Sequence, residues 1–184
     1  MTTWNKQIAN RNFLSPIGFK FLLSKYPKIP YFSQSANIPA MNLGIQQQPT
    51  PLRPLPLEGF IGYDPLNMTF LIDEDLENYM ILHNWIRALG TPDDTQERKT
   101  FMERELKEWN SDKLTADGTL VILNSNFKQN FNVVFMDLIP QSLSAMEFNA
   151  TIDGTEYATA SVSFTFNAYQ VRRGEQTERD TRLE

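Results

Sequence analysis

The sequence holds one histidine, His83, and no cysteine. Those two counts bound the chemistry. Thiolate nucleophiles, disulfides and thiolate-bound metals are excluded. A nucleophile–histidine–carboxylate arrangement would have to be built around His83 alone, with Asp73 or Asp75 as its acid. The acids Asp73, Glu74 and Asp75 are consecutive. Such a cluster could hold a hard cation or exchange protons. It also stands just before an apolar-periodic run, where acids complement a helix dipole, and that is the simpler account. His83 shares the apolar face of that run with Tyr79 and Ile86, which favours burial or a subunit contact over catalysis.

Other candidate chemistry is thinner. The segment 59–62 (GFIG) lacks the Lys-Ser/Thr of a phosphate loop and leads into a strand, so no nucleotide site is expected. Arg53, Lys128, Arg172 and Arg173 are scattered rather than striped. The early aromatics Phe19, Phe21, Tyr26, Tyr31 and Phe32 could stack single-stranded bases. With so few positive charges near them, core packing or an intersubunit contact fits better. No catalytic, cofactor-binding or metal-ligating residue is expected.

Seventeen basic and 22 acidic residues give a net charge of −5. An acidic chain is poorly suited to gripping nucleic acid, because phosphate neutralisation supplies most nonspecific affinity. An acidic surface repels DNA, which suits a conduit better than a clamp. No apolar run follows residues 1–4, so no signal peptide is expected. No run approaches the ~18 apolar residues of a membrane span. The chain reads as soluble and cytosolic when made. Its 184 residues, 41% hydrophobic and 21% charged, suit one ordinary globular domain.

The elements that must position these groups follow from punctuation and periodicity. Residues 1–12 read as an arm. A strand over 13–24 is interrupted by Pro16 and Gly18. A turn follows at 25–30, set by Pro27 and Pro30. A second strand over 31–38 ends at Pro39. Residues 39–58 hold five of the eleven prolines and three consecutive glutamines, Gln46 to Gln48. Such a stretch is extended and cannot sit centrally in a sheet. It is either a surface loop or an arm or hairpin reaching a neighbouring subunit. Leu52, Leu55 and Leu57 favour the second reading, since a solvated linker has little use for leucines. Arg53 is a candidate subunit contact beside them.

A short strand over 67–72 precedes a helical insertion, 73–109. Its first helix spans 76–89 with Gly90 as C-terminal cap. Leu76, Tyr79, Met80, His83, Ile86 and Leu89 form its expected apolar face. A charged second helix covers 95–109, with a stripe of Met102, Leu106 and Trp109. Strands are then expected at 119–124, 131–139 (ended by Pro140) and 145–152. Asn124, Ser125 and Asn126 mark a turn, and Asp153-Gly154 a hairpin. Residues 157–171 alternate throughout. Ala158, Ala160, Val162, Phe164, Phe166 and Ala168 face one side. Thr159, Ser161, Ser163, Thr165, Asn167 and Tyr169 face the other. Residues 172–184 read as a charged, frayed tail. Strands, a two-helix insertion, then strands make an α+β chain, mainly β, with one domain over 13–171.

The order of GFKFLLS, YFSQSANIPAMNLG, LNMTFLIDEDLENYMILHNWIRALGTP and SVSFTFNAYQV resembles the tail tube protein family of contractile-tailed phages. TFLIDEDLENYMILHNWIRALG is the most specific part, a strand feeding the family's single helix. The resemblance implies an antiparallel β-sandwich or barrel of tail-tube type with a flanking helix, the second helix being additional. It implies homohexameric rings whose inner sheets join around a channel and which stack through long loops. Partners would be further copies of the chain, tail sheath and baseplate proteins, with phage DNA passing through without specific binding. The location would be the virion tail, assembled in the host cytoplasm. In that setting Leu52, Arg53, Leu55 and Leu57 are suspected subunit contacts. Thr159, Ser161, Ser163, Thr165 and Asn167 are suspected channel-facing residues. The proline-rich segment and the second helix exceed a minimal tube subunit, which leaves an initiator ring at the baseplate or a terminator ring open. A secretion-system tube and a monomeric β-rich binding module, reading a partner through its aromatic N-terminal strands, also stay open.

Overall fold

The computed structural model describes residues 13–14, 16–90, 95–109, 114–146, 148 and 157–173. The side chains of Tyr31, Thr95, Glu105, Leu106, Glu108 and Trp109 fall outside that description. So do the expected arm 1–12, the hairpin at Asp153-Gly154, the tail beyond 173 and two of the three stripe residues of the second helix.

Alternation builds the centre. β5 (Leu66–Leu71) buries Leu66, Met68 and Phe70 and turns Asn67 and Thr69 outward. β8 (Thr159–Thr165) buries Ala160, Val162 and Phe164. The two strands pair antiparallel with those apolar sets in register, Met68 opposite Val162 and Phe70 opposite Ala160. A period of two with one buried face fixes that register, since a one-residue slip would expose every apolar side chain. β2 (Ser33–Ala36) adds to β5, and the second half of β7 (Gln129–Leu143) adds to β8. This sheet, sheet II, runs β7-β8-β5-β2.

Sheet I runs β1-β6-β7-β9, from β1 (Phe19–Leu23), β6 (Ala116–Leu123), the first half of β7 and β9 (Ala168–Arg173). The turn between β6 and β7 falls where Asn124 was expected to mark it. Asn124 Oδ1 accepts from the N–H groups of Asn126 (2.9 Å) and Lys128 (3.0 Å). β7 therefore belongs to both sheets. It changes sheet at Asp137, whose φ is 56°. An aspartate tolerates that left-handed conformation better than most residues. Its N–H donates to Asp117 Oδ1 (3.1 Å) and its own Oδ1 accepts from Thr115 Oγ1 (2.9 Å). Pro140 does not stop the strand as expected. Beyond Leu138, which still faces Ala116 of β6, β7 has β8 as its one partner, and the register shifts between Pro140 and Ser142. An edge with a bulge is where a strand tolerates a residue without an N–H.

Between the sheets lies one core, with Phe21, Leu120, Val133 and Phe135 from sheet I facing the buried rows of sheet II. α2 (Glu77–Gly90) closes one side of it with Leu82, Trp85 and Ala88. Trp85 packs its ring against Tyr26 and Phe164, at centroid distances of 5.2 and 6.2 Å, and donates its Nε1–H to Leu114 O (2.7 Å). The buried face of α2 is thus Asn78, Leu82, Trp85 and Ala88. The expected face is rotated away from it: Met80 is 44% exposed and His83 only half-buried. Gly90 lies inside the helix rather than after it. The acids Asp73, Glu74 and Asp75 precede the first turn, whose acid is Glu77. Glu77 pairs with Lys28 of α1 (Lys28–Tyr31) and raises the Lys28 pKa, first by the hydrogen bond and then by its charge. Both groups are exposed, so the pair contributes little stability.

Asn78 is the polar member of the buried face, at 1% exposure. Its Nδ2 donates to Leu71 O (2.8 Å), and its Oδ1 accepts from the N–H groups of Tyr79 (2.8 Å) and Asp73 (3.3 Å). The side chain ties the end of β5 to the start of α2. Asn78→Ala is expected to cost about 1–3 kcal/mol, because it strands buried main-chain groups. A urea titration would read this. An unchanged midpoint would show that the clamp carries no stability.

The remaining differences from the expected elements are local. β1 and β2 are shorter than expected, and residues 28–31 form one helical turn. α3 (Thr95–Trp109) forms where the charged helix was expected. Ala145 and Met146 are not in a strand. The long strand over 157–171 is broken at Phe166 and Asn167 into β8 and β9. The break reverses the parity, so Tyr169 joins Tyr63, Phe135 and Phe166 in an aromatic cluster instead of facing water. Arg172 and Arg173 are not frayed but pair with Asn132 and Phe131 in β9.

Candidate assembly surfaces

Two surfaces stand out among the described residues. The first is a hairpin, β3 (Met41–Gln48) and β4 (Leu55–Tyr63), which forms a two-stranded sheet of its own. The proline-rich segment is thus mostly strand, and the loop reading is replaced by the hairpin one. Each strand has a single neighbour, so Pro56 can sit in β4 opposite Gln47 without breaking a ladder on both sides. The base is anchored. Asn42 Nδ2 donates to Asp64 Oδ1 (3.2 Å), and Tyr63 packs on Phe166 and Tyr169. The middle carries a bulge between Leu43 and Ile45. There Gly44 and Gly59 lie back to back: a Cβ on Gly59 would stand 2.7 Å from Gly44 O.

What the hairpin displays is apolar. Met41, Leu43, Ile45, Leu55, Leu57, Phe60 and Ile61 are all exposed, Phe60 at 87%. Leu55 and Leu57 pair with Gln48 and Gln46 and so share one face. Leu52 stands at the tip, 97% exposed, with Arg53 exposed beside it. The suspected contacts therefore lie on one projecting element. Met41, Leu43, Ile45, Phe60 and Ile61 add exposed apolar side chains on both faces of the hairpin, Ile45 lying opposite Glu58 and so on the face away from Leu57, and they were not legible, because the glutamines and glycines between them mask the alternation. A lone two-stranded hairpin is at best marginally stable in water. So many exposed apolar side chains on one hairpin make it a candidate interaction site.

The second surface is the outer face of sheet II. Thr159, Ser161, Ser163 and Thr165 share it, as the alternation of β8 requires. Across the strands they meet other uncharged polar groups. Thr69 Oγ1 and Ser161 Oγ lie 3.1 Å apart. Ser163 Oγ donates to Asn67 Oδ1 (2.5 Å), and Thr165 Oγ1 lies 3.0 Å from Gln141 Oε1. Ser144 Oγ accepts from Ser161 N–H (2.9 Å). Asn167 lies past the end of β8 at the strand break, its N–H donating to Met136 O (3.1 Å), so it is not part of this ladder. Asn67 and Thr69 complete the face, and the alternation of β5 was the signal that could have found them.

The reactive candidates do not converge. His83 lines a groove of ≈720 Å³ between α2 and α3, with Arg87, Glu97 and Thr100, and its buried Nδ1 has no hydrogen-bond partner. Asp73 and Glu74 line a different groove. No cluster of three potential metal-binding residues exists among the described residues. The segment 59–62 is mid-strand in β4. Phe21 and Tyr26 are core, as the packing reading requires. No described helix is long and apolar enough to cross a membrane.

The sequence matches no family model and no curated protein. Its structure does have counterparts. A chain of the anti-feeding prophage cap, the cap that terminates the tube, superposes with a TM-score of 0.62 at 15% identity. The match covers 95% of this chain and 100% of that one. A chain of the sheath/tube terminator of the extracellular contractile injection system PVC gives 0.61 at 13% identity, over 89% and 99%. A chain of the PVC sheath–tube complex in the extended state gives 0.58 at 16% identity, over 94% and 99%. The fold is that of tube and cap proteins of contractile injection systems.

Proposed function

We propose that the chain is a non-enzymatic structural subunit that forms rings in the tube of a contractile tail. Its outer face of sheet II lines the channel. The observation that carries this reading is that face: a ladder of Ser, Thr, Asn and Gln side chains with no ionisable group among its paired members. A surface of that kind stays wet yet offers a passing polyanion no fixed cation to bind. The flanking geometry supports ring closure. Sheet II ends on β2 at one edge and on the second half of β7 at the other. Unpaired edges invite pairing with another chain, and a ring of copies covers both.

The finer reading follows the family resemblance: a phage tail tube of six-membered rings, through which DNA leaves the capsid. The sheath lies around the tube and the baseplate below it, and the particle is assembled in the host cytoplasm. The likeness to two terminating components favours a second reading, a ring that ends the tube. Negative-stain imaging of the purified protein, with mass photometry, tests both. Open-ended tubes with a central channel are expected. Single rings that never lengthen would favour the terminator. A particle that stays monomeric at every concentration would overturn the ring reading.

A further inference from the structure

The outer side of α2 carries groups that neither the core nor the outer face of sheet II uses. Met80, His83, Asn84 and Arg87 follow helical spacing along it. Glu97, Thr100, Phe101 and Arg104 follow the same spacing on α3. The two rows line the groove of ≈720 Å³. A second groove of ≈520 Å³ lies against Tyr26, Pro27 and Ile81 and shares Met80, Asn84 and Arg104 with the first. The pair form one open cleft across α2. Ala88 and Phe101 are buried beneath it, and Met80 is exposed on its wall. Two buried polar atoms in the cleft find no partner among the described residues, His83 Nδ1 and Glu97 Oε2. The other Glu97 oxygen is taken by Arg87, whose Nη2 donates to Oε1 (2.7 Å).

We infer that this cleft binds an extended acidic peptide segment of a different protein, its main chain pairing with His83 Nδ1 and Glu97 Oε2. A peptide unit offers an acceptor and a donor side by side. An ionised carboxylate oxygen can only accept, and an imidazole nitrogen takes either role according to tautomer. One N–H and one C=O therefore satisfy both atoms. Buried groups left unpaired weaken the free protein, so a segment that pairs them is favoured. A single small-molecule site takes about 300–1,000 Å³, and two joined grooves suit a length of chain. Charge decides which chain. Lys25, Lys28, Arg87 and Arg104 line the cleft against two acids, Glu77 and Glu97, in a protein of net charge −5. An acidic segment is thus drawn to this side rather than to the rest of the surface. The exposed extended element of this chain, the β3–β4 hairpin, carries one acid, Glu58, and one base, Arg53. A second copy therefore does not supply that charge. Nucleic acid does, but its phosphates carry no N–H for Glu97 Oε2. The inference goes beyond the tube reading and does not depend on it.

His83 is the sole histidine, so the full chain gives one imidazole signal by NMR. The probe is a fluorescein-labelled hexapeptide alternating leucine and glutamate. It is expected to bind, as read by fluorescence polarisation, and to move the His83 signal. The same peptide with lysine for glutamate should bind about tenfold more weakly or worse. Methylating the main-chain nitrogens of the glutamate peptide should also cost about tenfold, since it removes the N–H groups. Arg104→Glu, at an exposed position, should weaken binding of the glutamate peptide by a similar factor, with the urea midpoint as its folding control. No binding, equal binding of the two peptides, or binding that leaves the His83 signal in place overturns the inference. Displacement by a thymidine oligonucleotide would give the cleft to phosphate and overturn it. Binding that fades as protein concentration rises would give the cleft to a second copy, with the same consequence. Peptide binding without rings in the images would leave the cleft standing and sink the tube reading. Rings without peptide binding would do the reverse.

Discussion

Trp85→Ala is expected to lower the free energy of unfolding by about 3–5 kcal/mol, the range for deleting a large aromatic from a packed core. Trp85 is the largest fully buried side chain of the core. It touches both layers that α2 has to join, through Tyr26 after β1 and Phe164 in sheet II. Two losses coincide. The ring leaves a cavity that surrounding side chains cannot collapse into fully, and Leu114 O loses its buried donor. Trp85→Phe separates them. It keeps most of the apolar contact and removes the N–H, so its cost should be smaller, about 1–3 kcal/mol. Urea unfolding followed by circular dichroism would measure both. A loss below about 1 kcal/mol for the alanine variant would mean that α2 rests on the sandwich without stabilising it.

Gly59→Ala should do the opposite, leaving the subunit folded while abolishing assembly. The added methyl would stand 2.7 Å from Gly44 O and 2.9 Å from Gly44 C. Both atoms are backbone, so no rotamer change relieves the clash, and β3 and β4 must splay at the bulge. The hairpin contributes no residue to the buried core, apart from Tyr63 packed at its base. Its distortion should therefore shift the unfolding midpoint little. The apolar residues it carries would no longer be held in register, and the assembled fraction seen by mass photometry should fall to near the monomer baseline. Normal rings or tubes from this variant would show that the hairpin takes no part in assembly.

These two glycines also show what the sequence does and does not disclose. Gly59 reads as part of a failed phosphate loop, because its true partner, Gly44, is fifteen positions away and pairs with it only once the hairpin has formed. The strands that alternate cleanly are legible. The Ala160, Val162 and Phe164 row of β8 lies buried as its pattern requires, and the Ser/Thr row lies outward. The pattern misleads where a tertiary demand overrides it. Nothing in the sequence marks the break at Phe166, since the alternation runs on through Ala168. Tyr169 accordingly packs on the side opposite to the one its parity indicates. On α2 the obstacle is Asn78. A polar residue in the buried row breaks the apolar period, and Met80, in the exposed row, supplies a false one. Only the hydrogen bonds to Leu71, Tyr79 and Asp73 explain why an asparagine belongs inside. Pro140 reads as a stop because sequence does not reveal which strands will be edges.

The sharing of β7 between the two sheets has a mechanical consequence. Sheets held only by side-chain packing can slide over one another at the cost of weak contacts. Here a shear between them must strain a continuous main chain, pivoting on Asp137. A force applied to sheet II, for instance along a column of stacked subunits, is thus carried into sheet I through covalent bonds. The ladder pairs of β7 with β6, β8 and β9 then spread it over strands on both sides. The subunit should behave under sudden load as one stiff body, bending at its projecting hairpin before it yields in its core.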